Sequence, residues 1–245
     1  MNIHVVIPHY RCFRWLDLCL YALRTLADGT LDITIVSMDS GEDLAMLRYK
    51  FESRVNSIIL HDPGAGVGGM VLPGALSEGV SLRPDSDITI TVDPDAIVLR
   101  NGWDSHLRAI FSDPRLAVAG INPRSDSNDF AGAPEWNWMA FRTKFWFEHV
   151  KSFQWRRTDI GHLFLDAAIK NGMEAATWPM NNRPKPGRPA TFVGTPELWA
   201  MHAFYSTRRQ KDYIPEEEKR GILSYEEEME IMDICREIID GEKNA

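Results

Sequence analysis

The chain has 245 residues, 44% of them hydrophobic, and a formal net charge of −8. Such a length and composition suit a soluble globular protein of one α/β domain or two small ones. The acidic balance excludes nonspecific nucleic-acid binding as the main role, although a metal can still bring a phosphorylated ligand to an acidic surface. Cys12, Cys19 and Cys235 have neither C-x-x-C nor metal-ligand spacing and fit a reducing compartment. No apolar run reaches the length of a membrane span, and strand-like sequence begins at once. The expectation is a cytoplasmic protein with no leader and no integral membrane segment.

In chain order, Ile3 to Ile7 predicts a short strand that stops at Pro8-His9-Tyr10-Arg11. Leu16, Cys19, Leu20, Leu23 and Leu26 recur at helical spacing and predict an amphipathic helix ending near Asp28-Gly29. A second strand, Asp32 to Met38, ends at Asp39-Ser40-Gly41 and is followed by a helix over Leu44 to Phe51. Val55 to Leu60 is a third strand, leading into the loop Gly64-Ala65-Gly66-Val67-Gly68-Gly69 and a helix to about Val80. A fourth strand, from Asp87, ends at Asp93-Pro94-Asp95. Strands alternating with helices predict an α/β fold, a mostly parallel central sheet flanked by helices on both faces, with ligands beyond the carboxyl ends of the strands.

A helix from Gly102 to Phe111 and a strand from Leu116 to Ile121 continue the alternation. Residues 122–134 then read as a long polar loop, and Glu135 to Phe141 as a strand with its tryptophans on one face. Helices are expected over Thr143 to Phe153 and over Asp159 to Asn171, the latter closed by Gly172. Pro179 to Pro189 reads as a proline-rich basic strap. Thr195-Pro196-Glu197 predicts a helix start, with Thr195 as cap and Pro196 at the first position. Residues 215–240 form a charged terminal helix or helix pair, packed on its own domain or against a second subunit. No repeat or linker divides the chain, so one domain is expected: 1–121 binding a nucleotide, 122–205 carrying acceptor and catalytic groups, 206–245 as a helical extension.

Asp93 and Asp95 carry the most specific chemistry. In an extended segment, side chains at i and i+2 point the same way, and Pro94 cannot donate to a ladder, so the pair is expected to project together from a rim. Neighbouring carboxylates repel unless one is protonated or a cation lies between them. Oxygen ligands and a phosphate-bearing partner suit a divalent cation. The alternative is a strand end followed by a solvated Asx-type turn.

Three motifs in order, Val5-Val6-Ile7-Pro8-His9-Tyr10-Arg11, Ile35-Val36-Ser37-Met38-Asp39-Ser40-Gly41 and Thr91-Val92-Asp93-Pro94-Asp95, resemble the GT-A fold, family-two-like nucleotide-sugar glycosyltransferases. The resemblance covers residues 1–121 well, weakens over 122–205 and is absent from the terminal helix. It implies a transfer of sugar from a UDP- or GDP-sugar to an acceptor hydroxyl, with Mn2+ or Mg2+ as cofactor. Pro8, His9, Tyr10 and Arg11 would border the nucleotide, Asp39 would accept a hydrogen bond from base or ribose, and Gly66 would approach the donor. Asp95 would ligate the metal, Asp93 would contact the ribose, the metal or both, and His202 would be a third ligand. Met38 and Arg11 depart from the residues usual in the family, which bears on base selectivity.

An inverting transfer also needs a carboxylate to take the acceptor proton, and Asp159, at the expected helix start, is the candidate. Its alternative is a helix-dipole acid. Trp136 and Trp138 offer flat faces for an acceptor sugar, or belong to the core. Arg183, Lys185 and Arg188 could close over a diphosphate or be solvated. Two other functions remain open: an NAD(P)-dependent oxidoreductase using the G-x-G-x-x-G series Gly64, Gly66 and Gly69, and a noncatalytic nucleotide-sugar-binding protein, with a homo-oligomer through the terminal helix compatible with any of them.

Overall fold

A computed structural model describes residues 1–10, 12–38, 41–61, 71–122, 133–134, 137–153, 160–179, 190–193, 199–202 and 225–244. Its central sheet has seven strands in the order β3-β2-β1-β4-β7-β6-β8. In chain order these are β1 (Ile3–His9), β2 (Leu31–Ser37), β3 (Ser57–Leu60), β4 (Ile88–Val92), then, after a short β5 (Ala96–Val98), β6 (Leu116–Asn122), β7 (Trp138–Arg142) and β8 (Glu174–Pro179). Pairing is parallel throughout except at β7, which runs against both β4 and β6. A second sheet joins β5 to β9 (Ala190–Val193) and β10 (Trp199–His202), in the order β5-β10-β9.

Apolar runs such as Val5-Val6-Ile7 arise because both faces of the sheet are covered. Side chains alternate across the pleat. Ile3, Val5, Ile7, Ile88, Ile90 and Val92 enter one core, together with α1 (Phe13–Thr25), α2 (Gly41–Phe51), α4 (Trp103–Ile110) and the terminal α7 (Tyr225–Lys243). Val6, Val36, Met139 and Phe141 enter the opposite core with α3 (Leu72–Ser81), α6 (Ile160–Lys170) and the short α5 (Thr143–Phe145) with the π turn Trp146–Val150 that follows it. The helix α3 lies so close to the sheet that a Cβ on Gly79 would stand 2.5 Å from Val6 Cγ1 and 2.8 Å from Val36 Cγ2. After α6, Gly172 takes φ +66°, and Met173 N–H returns to the Ala168 carbonyl at 2.9 Å, a glycine-terminated helix end as expected.

Two expectations are corrected here. The helix expected from Thr195 is not formed over Trp199–His202, which is strand β10, hydrogen-bonded to β5 on one side and β9 on the other. Pairing with two neighbours outweighs a local cap-and-proline signal, because propensity is a weak prior against tertiary contacts. The three-stranded sheet itself was not foreseen, and neither was β8. The terminal segment is one helix over its described part, and it packs on α1 of its own chain.

Candidate functional site

Strands β1, β2 and β4 are parallel, so their carboxyl ends share one rim: His9 lies opposite Ser37, and Val6 opposite Thr91. Met38 N–H donates to the His9 carbonyl at 2.9 Å and His61 N–H to the Ser37 carbonyl at 2.9 Å, which brings the exits of β1, β2 and β3 side by side. The chain turns outward from β1 on one side to β2 and β3, and on the other side to β4. That reversal makes the β1/β4 boundary the switch point of the sheet, the usual ligand position of an open α/β sheet. Pro8 belongs to β1 beyond the last residue paired with β4, so its missing N–H breaks no bond of that ladder. His9 is fully buried, its ring centroid 4.9 Å from that of Phe13, and Tyr10 is half-buried at the mouth.

Asp93-Pro94-Asp95 occupies the other wall. The extended geometry expected from its spacing does not hold: Ala96 N–H donates to the Asp93 carbonyl at 2.9 Å, closing a four-residue turn with Pro94 at its second position. Pro94 presets that bend, and the chain leaves it as β5. Asp93 N–H is anchored to the Asn137 carbonyl at 2.9 Å, at the start of β7. Asp93 is half-buried and Asp95 is 5% exposed. Beneath them is Cys19 of α1, its Sγ 4.0 Å from the Asp93 carbonyl oxygen. Burial, and then the Asp95 and Asp93 carboxylates, push the Cys19 thiol well up, so it stays protonated at neutral pH. Both carboxylates therefore act on one small region under the rim.

The second sheet brings a third element to this turn. β10 runs antiparallel to β5 with His202 opposite Ala96, the residue after Asp95. The histidine expected as a third ligand is thus placed beside the turn by backbone register. The opposite wall is set by α6. A Cβ on Gly161 would fall 1.6 Å from the Pro134 carbonyl oxygen, so only glycine lets the start of α6 meet the segment leading to Asn137. Position 159 is one residue before that helix.

Trp138 is 1% exposed, in edge contact with Trp103 at 5.7 Å between centroids, and its indole N–H has no partner among the described residues. Its ring is a wall of the core rather than an open platform. Arg11, Asp39, Gly64, Gly66, Gly69, Trp136, Asp159, Arg183, Lys185 and Arg188 lie outside the described residues. Gly64, Gly66 and Gly69 follow β3, the outermost strand. A dinucleotide fingerprint instead follows the central first strand of its unit, which disfavours the oxidoreductase reading. Sequence reasoning missed Asn137, whose carbonyl anchors the turn; a polar residue between two tryptophans was the available signal. It also missed His61, whose Nδ1 is 2.7 Å from Glu78 Oε2 at the exit of β3.

The donor set fits a hard divalent cation as far as it extends: two carboxylates on one turn, with a histidine-bearing strand in register beside it. Among the described residues no group of three or more His, Cys, Asp or Glu side chains surrounds one point. Nor is any helix among them long and apolar enough to cross a membrane.

This arrangement, a 3-2-1-4 parallel core extended by an antiparallel strand and backed by a small second sheet, is the GT-A fold of nucleotide-sugar glycosyltransferases. The mannosyltransferase PcManGT from Pyrobaculum calidifontis, solved with GDP-Man and Mn2+, is 16% identical over 73% of this chain and 55% of its own, with a TM-score of 0.58. S. aureus TarS matches at 16% identity, 73% of this chain, 35% of its own and a TM-score of 0.52. Glucosyl-3-phosphoglycerate synthase from Mycobacterium tuberculosis, solved with Mn2+, UDP and glucosyl-3-phosphoglycerate, matches at 12%, 75%, 73% and 0.51. The chain thus spans about half the length of the mannosyltransferase, and at these identities the likeness is one of fold. No protein-family model and no curated protein sequence matches the chain.

Proposed function

We propose that this protein is a glycosyltransferase that moves a sugar from a nucleotide-diphosphate donor to an acceptor hydroxyl. The observation that carries the reading is the Asp93-Pro94-Asp95 turn at the β1/β4 switch point of a GT-A sheet, with β10 in register beside it. Breaking a sugar–phosphate bond leaves negative charge on the departing diphosphate and positive charge on the ring. Asp95, with Asp93 and His202, would hold Mn2+ or Mg2+, which supplies Lewis-acid neutralisation of the departing charge when bound.

The remaining roles belong to the chain. Pro8, His9, Tyr10 and Arg11 border the nucleotide from the exit of β1, Asp39 accepts from base or ribose, and the Gly66 loop approaches the donor from β3. Asp159, the residue before α6 in sequence, takes the proton of the acceptor hydroxyl in an inverting transfer. Trp136 stacks on the acceptor, while Trp138 supports it from the core. The donor is a UDP- or GDP-sugar.

The test is nucleotide binding with and without Mn2+, followed by donor hydrolysis and transfer across a panel of acceptors. Saturable Mn2+-dependent binding of UDP or GDP, with slow donor hydrolysis, is expected. Binding of NAD(H) in preference to either nucleotide would overturn the reading, and binding without turnover on any acceptor would leave a noncatalytic module.

A further inference from the structure

The terminal helix α7 touches both supports of the Asp93–Asp95 turn. It runs parallel to α1, and the two are joined along their length. Arg14 Cζ stands 4.7 Å over the Tyr225 ring, Trp15 Nε1 donates to Glu228 Oε1 at 3.5 Å, and Arg236 Nη2 donates to Asp17 Oδ2 at 3.4 Å. The Tyr21 hydroxyl donates to the Asp240 carboxylate. Met232, Cys235 and Ile239 are buried between these contacts, in the same core as Cys19, Ala96 and Val98. At the helix's far end Glu242 reaches the segment that continues from β5: Oε1 accepts from Arg100 Nη1 at 3.1 Å and Oε2 from Asn101 N–H at 3.1 Å. Gly102 N–H then donates to the Leu26 carbonyl at 2.8 Å, tying that same segment to the end of α1.

The turn is therefore held from below by α1, through Cys19, and from behind by β5, which begins at Ala96. We propose that α7 is a brace that locks these two supports together and thereby positions Asp93 and Asp95 for a divalent cation. Its residues are positioning residues. The proposal rests on the metal reading above, and adds to it that affinity at the turn depends on a helix that grips α1 and the segment after β5 behind the turn. Coupling of this kind follows from the geometry: α1 and β5 can separate only if the Glu242 clamp or the α1–α7 seam opens first. When they separate, the Asp93–Ala96 hydrogen bond loses its frame.

Glu242→Arg places a cation against Arg100 and removes both acceptors; the Arg100→Glu/Glu242→Arg pair restores the attraction with the charges exchanged. Two quantities are read on the full chain: hydrogen exchange of the Ala96 amide, which closes the turn, and Mn2+ affinity by EPR titration with the metal alone. In Glu242→Arg the Ala96 amide is expected to exchange roughly ten-fold faster while the Val5 and Val6 amides keep wild-type rates. Mn2+ should bind roughly five-fold more weakly, and the paired variant, which restores the ion pair but not the acceptor of the Asn101 N–H, should recover part of both values. If Glu242→Arg cannot be purified folded, Glu242→Gln, which removes the charge and one of the two acceptor oxygens, is read the same way. Wild-type Ala96 exchange and Mn2+ affinity in a variant whose α7 amides exchange freely would overturn the brace and leave the metal site standing. If the wild-type chain takes up no Mn2+, the metal reading falls and takes the proposal's role for α7 in cation binding with it, whatever the Ala96 exchange shows.

Discussion

The two ends of the same parallel strands are built on opposite electrostatic rules. At the amino edge two carboxylates meet a cation or donor: Arg83 Nε is 2.5 Å from Asp32 Oδ2, and Asn2 N–H is 2.7 Å from Asp87 Oδ2. His4 there is fully buried, its Nε2 2.9 Å from Thr34 Oγ1. At the carboxyl rim two carboxylates flank one proline, and their charge opposes ionisation of the thiol beneath. Opposite charges in contact hold a sheet together. Like charges gathered on one turn repel, and a divalent cation between them is one arrangement that relieves the repulsion.

If that contrast is right, variants at the two ends separate turnover from stability. The largest effect is expected from Asp159→Asn: turnover falls by about 10²–10⁴ while donor affinity, measured by calorimetry, is retained. Near-normal turnover would remove Asp159 as base. Next, Asp95→Ala should lower metal-dependent turnover about a hundred-fold, some 3 kcal/mol of transition-state stabilisation, with a small change in melting temperature. Unchanged Mn2+ dependence would break the assignment of the turn.

The third effect belongs to the amino edge. Burial lowers the His4 pKa from 6.5 to about 4, with the Asp32 charge opposing it more weakly. The unfolded chain then binds a proton below about pH 6.5 that the folded chain refuses until about pH 4, so stability is full above that window and is lost as pH falls through it. The loss is at most about 3 kcal/mol. Urea unfolding at pH 7 and pH 4 should show it in the wild type, reduced in His4→Gln; an equal loss in both would remove His4 as the source. The smallest effect is Asp32→Ala. A half-exposed pair with Arg83 is worth at most about 1 kcal/mol, and turnover should not change. A fall in turnover would show that the two ends are coupled.

Much of the structure over residues 1–121 was legible in the chain itself. Val5-Val6-Ile7 and Ile35-Val36 are apolar on both faces of the pleat, Ile88 to Val92 alternates apolar residues with buried threonines, and Leu16, Cys19, Leu20 and Leu23 lie on one face of a helix, so strand and helix periods declare the α/β alternation. Those contacts are local or repeat at a short period. The breakers Pro94 and Gly172 mark where elements stop for reasons of φ and of missing donors, which need no tertiary knowledge, whereas β1 runs through Pro8 to His9 because its pairing with β2 continues there.

What folding alone decided is whatever depends on residues far apart in the chain. Asp93 and Asp95 were visible as a pair, but that Pro94 turns the chain into β5 instead of leaving it extended follows from the pairing of β5 with β10, about a hundred residues later. The same pairing makes Trp199–His202 a strand where its local signals read as helix, and brings His202 to the turn. Trp138 became core because β7 is enclosed by β4 and β6, with Trp103 of α4 against the ring. Short strands hold almost no structural information by themselves. Their neighbours supply the hydrogen bonds, and those neighbours are chosen by the whole chain.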